Sequence, residues 1–240
     1  MIVTTKAIVL NAIKYRDNDL IVKCFTEDEG CKSYLLRGVL SSKKGKVRKS
    51  YFQPLSQIEL TGDHNKNEKL NSIKDVQPLH HYVSIYFDVY KQAIVFFLAE
   101  ILNVSLQEEE ENRDLYTFLE ISFLWLDTHD KTANFHILFM LNLSKFLGFY
   151  PDVSNMELEY FDLVEGRFSK DLSQSKNVLS GDVLKEFKLL LGINFDSLEK
   201  ILLNSSERHE ILKVLIQYFE LHLTGFRTPK SLEVLKTLFR

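Results

Sequence analysis

Cysteine is nearly absent: Cys24 and Cys31 are the whole complement of a 240-residue chain. Neither sits in a Cys-x-x-Cys pair, and two thiols cannot staple a chain of this length. They predict free thiols in a reducing compartment. Glycine is scarce too, with nine residues, few for a Rossmann enzyme, and no Gly-x-Gly-x-x-Gly occurs. Lys44-Gly45-Lys46 lacks the upstream glycine and the Gly-Lys-Ser/Thr ending of a phosphate-cradling loop. There is no Gly-x-Ser-x-Gly, no His-Glu-x-x-His and no matched Cys/His set. These absences leave a hydrolase or transferase reading without a motif. The longest uncharged apolar-rich stretches, 92–99 and 132–144, fall short of the roughly 18–20 residues a bilayer span needs. The first ten residues lack a charged region followed by a long apolar run. The expectation is a soluble cytoplasmic protein with no membrane partner, no cofactor and no catalytic residues.

What is present is ordinary in amount and uneven in placement. Hydrophobic residues make up 45% and charged residues 26%, values of a globular chain able to bury one large core or two modest ones. Thirty Lys/Arg against thirty-three Asp/Glu give a net charge of −3. Residues 1–80 hold fourteen cations and nine acids, a net of +5; residues 81–240 hold sixteen and twenty-four, a net of −8. Such asymmetry points to a polyanionic partner for the basic part.

The first eighty residues read as strands. Thr5–Leu10, Asp19–Phe25 and Cys31–Leu36 are runs rich in β-branched or apolar residues, separated by the polar step Lys14–Asp19 and by a hairpin loop ending at Gly30. Tyr51–Leu60 reads as a fourth strand, with Pro54 near its start, and Leu70–Leu79 as a fifth; Thr61–Asn67 reads as a turn cluster. Five short strands suggest a small barrel or sandwich, most economically an OB barrel, although periodicity alone does not separate this from an SH3-like barrel.

Beyond Pro78 the period changes. Tyr82, Tyr86, Val89, Ala93, Phe97 and Ile101 follow helical spacing, as do Leu115–Leu126 and Phe135–Phe146. Residues 152–180 are polar and irregular, with a possible small hairpin over Tyr160–Phe168 around Glu165-Gly166. Helices resume at Val183–Leu191, Ser197–Leu203 and Ser206–Leu223, and a last one is expected to start at Thr228-Pro229. The expected fold is therefore α+β and multi-domain. Residues 1–80 form a five-stranded OB barrel, and 81–240 a larger all-α domain with an irregular insertion at 152–180.

The strongest local feature is the stretch from Arg37 to Ser50. Arg37, Lys43, Lys44, Lys46, Arg48 and Lys49 stand there with no acid among them. Cations on a Ser/Gly loop can track a phosphate backbone and release its counterions, and Tyr34, Tyr51 and Phe52 alongside could offer base-stacking faces. A solvated loop that keeps the chain soluble is the alternative. His80, His81, His129 and His136 lack further ligands at metal spacing and read as surface or junction residues. Glu108–Glu111 reads as a solvated linker before a helix.

The segments Lys6–Leu10, Tyr15–Asp19, Leu35–Val39, the basic stretch, Phe52–Ser56 and Leu221–Leu232 together resemble the RecO family, bacterial mediators of DNA repair and recombination. The resemblance spans essentially the whole chain. It implies an OB barrel that binds single- and double-stranded DNA, a helical domain behind it, and non-enzymatic work. That work is annealing complementary strands and acting with RecR to help load RecA onto strands coated by single-stranded-DNA-binding protein, whose acidic C-terminal tail is an implied ligand. The six cations named above match the family's cation-rich segment, so DNA contact is carried onto them.

One departure matters. Many members carry a four-cysteine zinc module after a Gly-Phe-x-Pro-like step. Here Gly148-Phe149-Tyr150-Pro151 is present, but residues 152–180 contain no cysteine. The hairpin at Tyr160–Phe168 is expected in place of the metal-stapled loop, with no zinc. The alternative function is a protein-interaction module whose helical domain docks partner peptides without touching nucleic acid.

Overall fold

In a computed structural model, residues 1–41, 47–64, 70–107, 110–171 and 177–239 are described. They form two compact units, Met1–Thr128 and His129–Arg240.

The first unit is built on β1 (Ile2–Tyr15), β2 (Asp19–Thr26), β3 (Gly30–Leu36), β4 (Gln57–Asp63) and β5 (Ser72–Pro78). All four adjacent strand pairs are antiparallel, in the order β3-β2-β1-β4-β5. The sheet closes on itself. Asn71, just before β5, accepts from Leu35 N–H at 2.8 Å and donates to Ser33 O at 2.8 Å, making a parallel bridge to β3. A five-stranded barrel with β1 between β2 and β4 and a β3–β5 seam is the OB arrangement. The expected α+β class and OB barrel are thus what the chain adopts.

β1 is far longer than the run Thr5–Leu10. Its first half pairs with β4 and its second half with β2. The two pairings overlap at Ala7 and Ile8, and just beyond lies a bulge where Leu10 is extra, between the pairs Val9↔Cys24 and Asn11↔Lys23. Bulges bend a strand and increase its twist. The polar step therefore shrinks to Arg16–Asn18, with Arg16 in left-handed backbone at φ 54°.

The fourth strand also differs. Lys49–Phe52 is a single 3-10 turn, and β4 begins only at Gln57. Phe52 and Leu55 are buried, and Leu55 sits at φ 61° with its N–H on Val9 O. The segment read as extended is a plug at the barrel end. Thr61–Asp63, read as turn, belongs to β4, while residues 65–67 of that cluster lie outside the described residues.

Ala7, Val9, Val22, Cys24, Tyr34, Leu36, Ile58 and Leu60 fill the interior. Cys24 and Cys31 occupy opposite faces of the hairpin, and neither is in a disulfide. Burial pushes the Cys24 thiol well up, and Cys31 Sγ lies 3.2 Å from Leu106 O.

Two helices, α1 (Val89–Ser105) and α2 (Arg113–Thr128), cover part of the outside and explain why this unit runs past residue 80 to Thr128. The Lys23 ammonium donates to the carbonyls of Asn103 and Leu106, at 2.9 and 2.7 Å, at the α1 C-terminus, where a cation meets the negative end of the helix dipole. Phe25 stacks on Tyr116 of α2, and Gln57 donates to Glu120 O.

Tyr82 and Tyr86 keep helical spacing yet precede α1. Their hydroxyls reach Leu55 O and Pro54 O in the plug. The helix starts only where the Asp88 carboxylate accepts from Tyr90 and Lys91 N–H. Beyond it, the Asp127 carboxylate accepts from the N–H groups of Val83, Ser84 and Ile85. Burial alone would push that carboxyl up; the N–H donors outweigh it and hold it below the usual range.

The second unit holds α3 (Phe135–Phe146), α4 (Gly181–Leu190), α5 (Ser205–His222), α6 (Leu232–Leu238) and a small sheet of β6 (Tyr160–Asp162), β7 (Arg167–Ser169) and β8 (Val178–Leu179). The hairpin expected around Glu165-Gly166 is the β6–β7 pair. Its turn is fixed by Asp162, whose carboxylate accepts from Val164 and Glu165 N–H.

Some helices differ from their expected bounds. Ser197–Leu203 is mostly a 3-10 segment, Phe195–Lys200. The last helix starts at Leu232 rather than at Thr228-Pro229, because the Thr228 hydroxyl donates to Glu220 instead of capping. His136 is not a surface residue. It is 2% exposed within α3, against Phe239. Burial, then the charges of Arg208 and His209, push its imidazole down to about 3.

Candidate nucleic-acid interface

Both ends of the basic stretch are anchored in the barrel. On the near side, Gly38 N–H donates to the Asp19 carboxylate at 2.8 Å, and Leu40 N–H donates to Asn18 O at 3.0 Å. The chain leaving β3 is thereby held against the β1–β2 turn. Gly38 adopts φ 66°, the left-handed region where glycine carries no Cβ penalty. Val39 is buried and Leu40 packs on the same core. On the far side Val47 and Tyr51 pack against the core and Phe52 enters it.

Of the six cations assigned to DNA, Arg37 is exposed at the exit of β3, and Arg48 and Lys49 are exposed at the start of the 3-10 turn. Lys43, Lys44 and Lys46 lie outside the described residues. Among the described residues, ion pairs of the barrel join Lys6 with Glu27 and Glu120, and Lys74 with Asp63. Arg37 lines a cleft of about 680 Å³ with Leu35, His64, Leu70, Asn71, Ser72 and Ile73 among its walls. Lys49 lines a second cleft, of about 370 Å³, with Asn11, Gln53 and Phe96.

Two of the three aromatic residues expected to stack on bases, Tyr34 and Phe52, are buried in the core. Tyr34 is fully buried, with its hydroxyl 2.9 Å from His64 Nε2. Burial, then Cys24 and Glu29, push its phenol far up. Phe52 is a core residue, and Tyr51 is partly buried against the same core. His64, which the sequence did not single out, completes a buried chain from Tyr34 to the Glu29 carboxylate.

The zinc module of the wider family has no counterpart in the residues present. Segment 152–180 contains neither cysteine nor histidine, so the donor set of a structural zinc site is missing. Among the described residues no group of three or more His, Cys, Asp or Glu is arranged so that it could hold a metal ion. Aromatic packing holds the small sheet instead: Phe161 contacts Phe168, Phe187 and Tyr218 with ring centroids 4.9, 5.2 and 6.2 Å apart. Among the described residues no helix is long and apolar enough to cross a membrane.

A closed OB barrel with a cation-rich loop pinned at both ends, followed by a helical unit, fits a class of nucleic-acid-handling proteins. Two family models divide the chain between them. The N-terminal model of Recombination protein O matches residues 1–82, and the C-terminal model matches residues 86–233. Full-length relatives agree. The chain is 46% identical over 239 residues to the DNA repair protein RecO of Flavobacterium psychrophilum, 43% identical over 239 residues to that of Christiangramia forsetii, and 38% identical over 242 residues to that of Bacteroides fragilis. In each case 100% of both chains is covered. The chain belongs to the RecO family of DNA repair proteins.

Proposed function

We propose that this protein is a non-enzymatic recombination mediator of the cytoplasm. It binds single- and double-stranded DNA through Arg37, Lys43, Lys44, Lys46, Arg48 and Lys49. It anneals complementary strands and, together with RecR, helps load RecA onto strands coated by single-stranded-DNA-binding protein. Residues 1–80 hold the DNA, and the acidic 81–240 segment meets protein partners, with 152–180 as its insertion. The observation that carries this reading is the acid-free basic stretch from Arg37 to Ser50, whose two ends are pinned by Val39, Leu40, Val47 and Phe52.

The proposed mechanism is electrostatic. Phosphate contacts position a strand without reading its sequence. Cations that hold two backbones close while leaving base edges free allow the strands to pair. Neutralising about four to six phosphates on a single strand gives a slope of log K against log salt of roughly −3 to −4. The test is a salt titration of oligonucleotide binding by the full chain, alongside annealing of complementary strands coated by single-stranded-DNA-binding protein. Both are repeated with Lys43, Lys44, Lys46, Arg48 and Lys49 changed to Ala. A salt-insensitive affinity, or binding unchanged in that variant, overturns the reading.

A further inference from the structure

The β2–β3 ladder ends at the pair Leu20↔Leu36. Beyond it the chain leaves the barrel as a turn over residues 37–41, where strand hydrogen bonds no longer fix its path. Gly38 is the residue on which that turn hangs. Its N–H donates to the Asp19 carboxylate at 2.8 Å, and its carbonyl accepts from the Ser41 N–H and hydroxyl at 3.2 and 3.0 Å. Two residues further on, Leu40 N–H donates to Asn18 O at 3.0 Å. The reversal between β1 and β2 and the turn after β3 are thereby laced together.

The acid in this lacing is unexpected on electrostatic grounds. Arg37 adjoins Gly38 and is exposed, in a segment whose net charge is +5. An anion beside a cation that meets phosphate lowers the local positive potential. By charge alone, Asp19 weakens DNA binding. Asp17 carries the same charge in the same reversal and is exposed, whereas Asp19 is half-buried.

We infer that Asp19 is a positioning residue for DNA, acting through Arg37 by holding the turn that carries it. This rests on the DNA-binding reading above and adds to it a residue of the opposite charge. A hydrogen bond to an ionised acceptor is stronger than one between neutral groups, so a carboxylate at the start of β2 fixes Gly38 relative to the barrel. Arg37 then meets a phosphate with its backbone already placed, and less freedom is lost on binding. Gly38 serves the same end, because its φ of 66° is a backbone that residues with a Cβ resist.

The test measures binding of the full chain to an oligo-dT strand across a salt series, with urea midpoints confirming that each variant is folded. Asp19→Ala and Asp19→Asn lose the same charge, but only Asn keeps an acceptor for Gly38 N–H. Asp19→Ala is expected to bind on the order of tenfold more weakly, the worth of a hydrogen bond to a charged group. Its salt slope is expected to shrink by about 0.7, one phosphate contact. Asp19→Asn and Asp17→Ala keep the wild-type affinity or exceed it. Gly38→Ala, whose Cβ would lie an ordinary 4.0 Å from Ser41 Oγ, disturbs the backbone without a clash. It reproduces the Asp19→Ala loss, and it carries the test if Asp19→Ala does not fold. Adding Asp19→Ala to Arg37→Ala costs nothing further. Three results overturn the positioning role while the DNA-binding reading stands: Asp19→Ala as tight as wild type, Asp19→Asn as weak as Asp19→Ala, or losses that add to those of Arg37→Ala. A wild-type chain that does not bind overturns both.

Discussion

The phenol oxygen of Tyr34 stands 2.9 Å from Nε2 of His64, and both side chains are buried in the wall of the barrel. Gly62 leaves them the room: a Cβ there would lie 3.0 Å from His64 Nε2 and 3.2 Å from Tyr34 Cε1. Gly62→Ala is expected to cost about 1–3 kcal/mol of stability through overpacking. Shortening His64 to Ala removes the nearer contact, so the two substitutions together cost less than the sum of each alone. Urea midpoints for the two single variants and the double variant check this, and strict additivity would refute it.

Asp127 organises the chain between barrel and helix. Replacing it with Ala strands the N–H groups of Val83, Ser84 and Ile85 and removes the charge facing the Lys91 region, where Lys91 Nζ donates to Ser84 Oγ and Asp127 O. The expected destabilisation is about 3 kcal/mol or more. Thermal unfolding measures it; a change within a few tenths of a kcal/mol contradicts the hub role.

His136 gives the second unit an acid-sensitive term. Its imidazole, ordinarily near 6.5, is pushed down to about 3 in the folded chain. Between those values the unfolded chain binds a proton that the folded chain refuses. Stability from this group is therefore complete above about 6.5 and is lost as pH falls, by about 1.4 kcal/mol per pH unit. His136→Leu removes that slope. Urea midpoints from pH 7 to 4.5 are expected to fall less steeply in the variant than in the wild type, whatever its stability at pH 7.

Each described loop cation is expected to act alone on the salt dependence. Arg37→Ala, Arg48→Ala and Lys49→Ala each reduce the slope on single-stranded DNA by about 0.7. Lys185→Ala, whose ammonium pairs with Asp182 on α4, leaves it unchanged. Parallel salt titrations of the four variants decide the point.

The strands and most helices were legible because their patterns are local. The errors have non-local causes. Tyr51–Ser56 has the composition of a strand, but its apolar residues plug a barrel end that only the closed sheet creates. Tyr82 and Tyr86 keep the helical period while bonding to that plug. In the basic stretch the cations were legible as charge, whereas the burial of Tyr34 and Phe52 was not. Ser33-Tyr34-Leu35-Leu36 is apolar on both faces, so alternation could not show that Tyr34 points inward and Leu35 outward. Tyr15 was hidden in a step read as turn, and Ile13 fell between that step and the first strand, because β1 continues past its bulge.

Asn71 decides whether this barrel has edges. An open five-stranded sheet would leave β3 and β5 unpaired, templates on which extended chains add. The backbone N–H and C=O of one residue, bonded to Ser33 and Leu35, withdraw both strands from that competition. A proline at position 71 would delete the backbone donor to Ser33 O and the side-chain amide that bonds the same oxygen. Its damage would be to solitude rather than packing, turning a self-contained barrel into a sheet that recruits its neighbours.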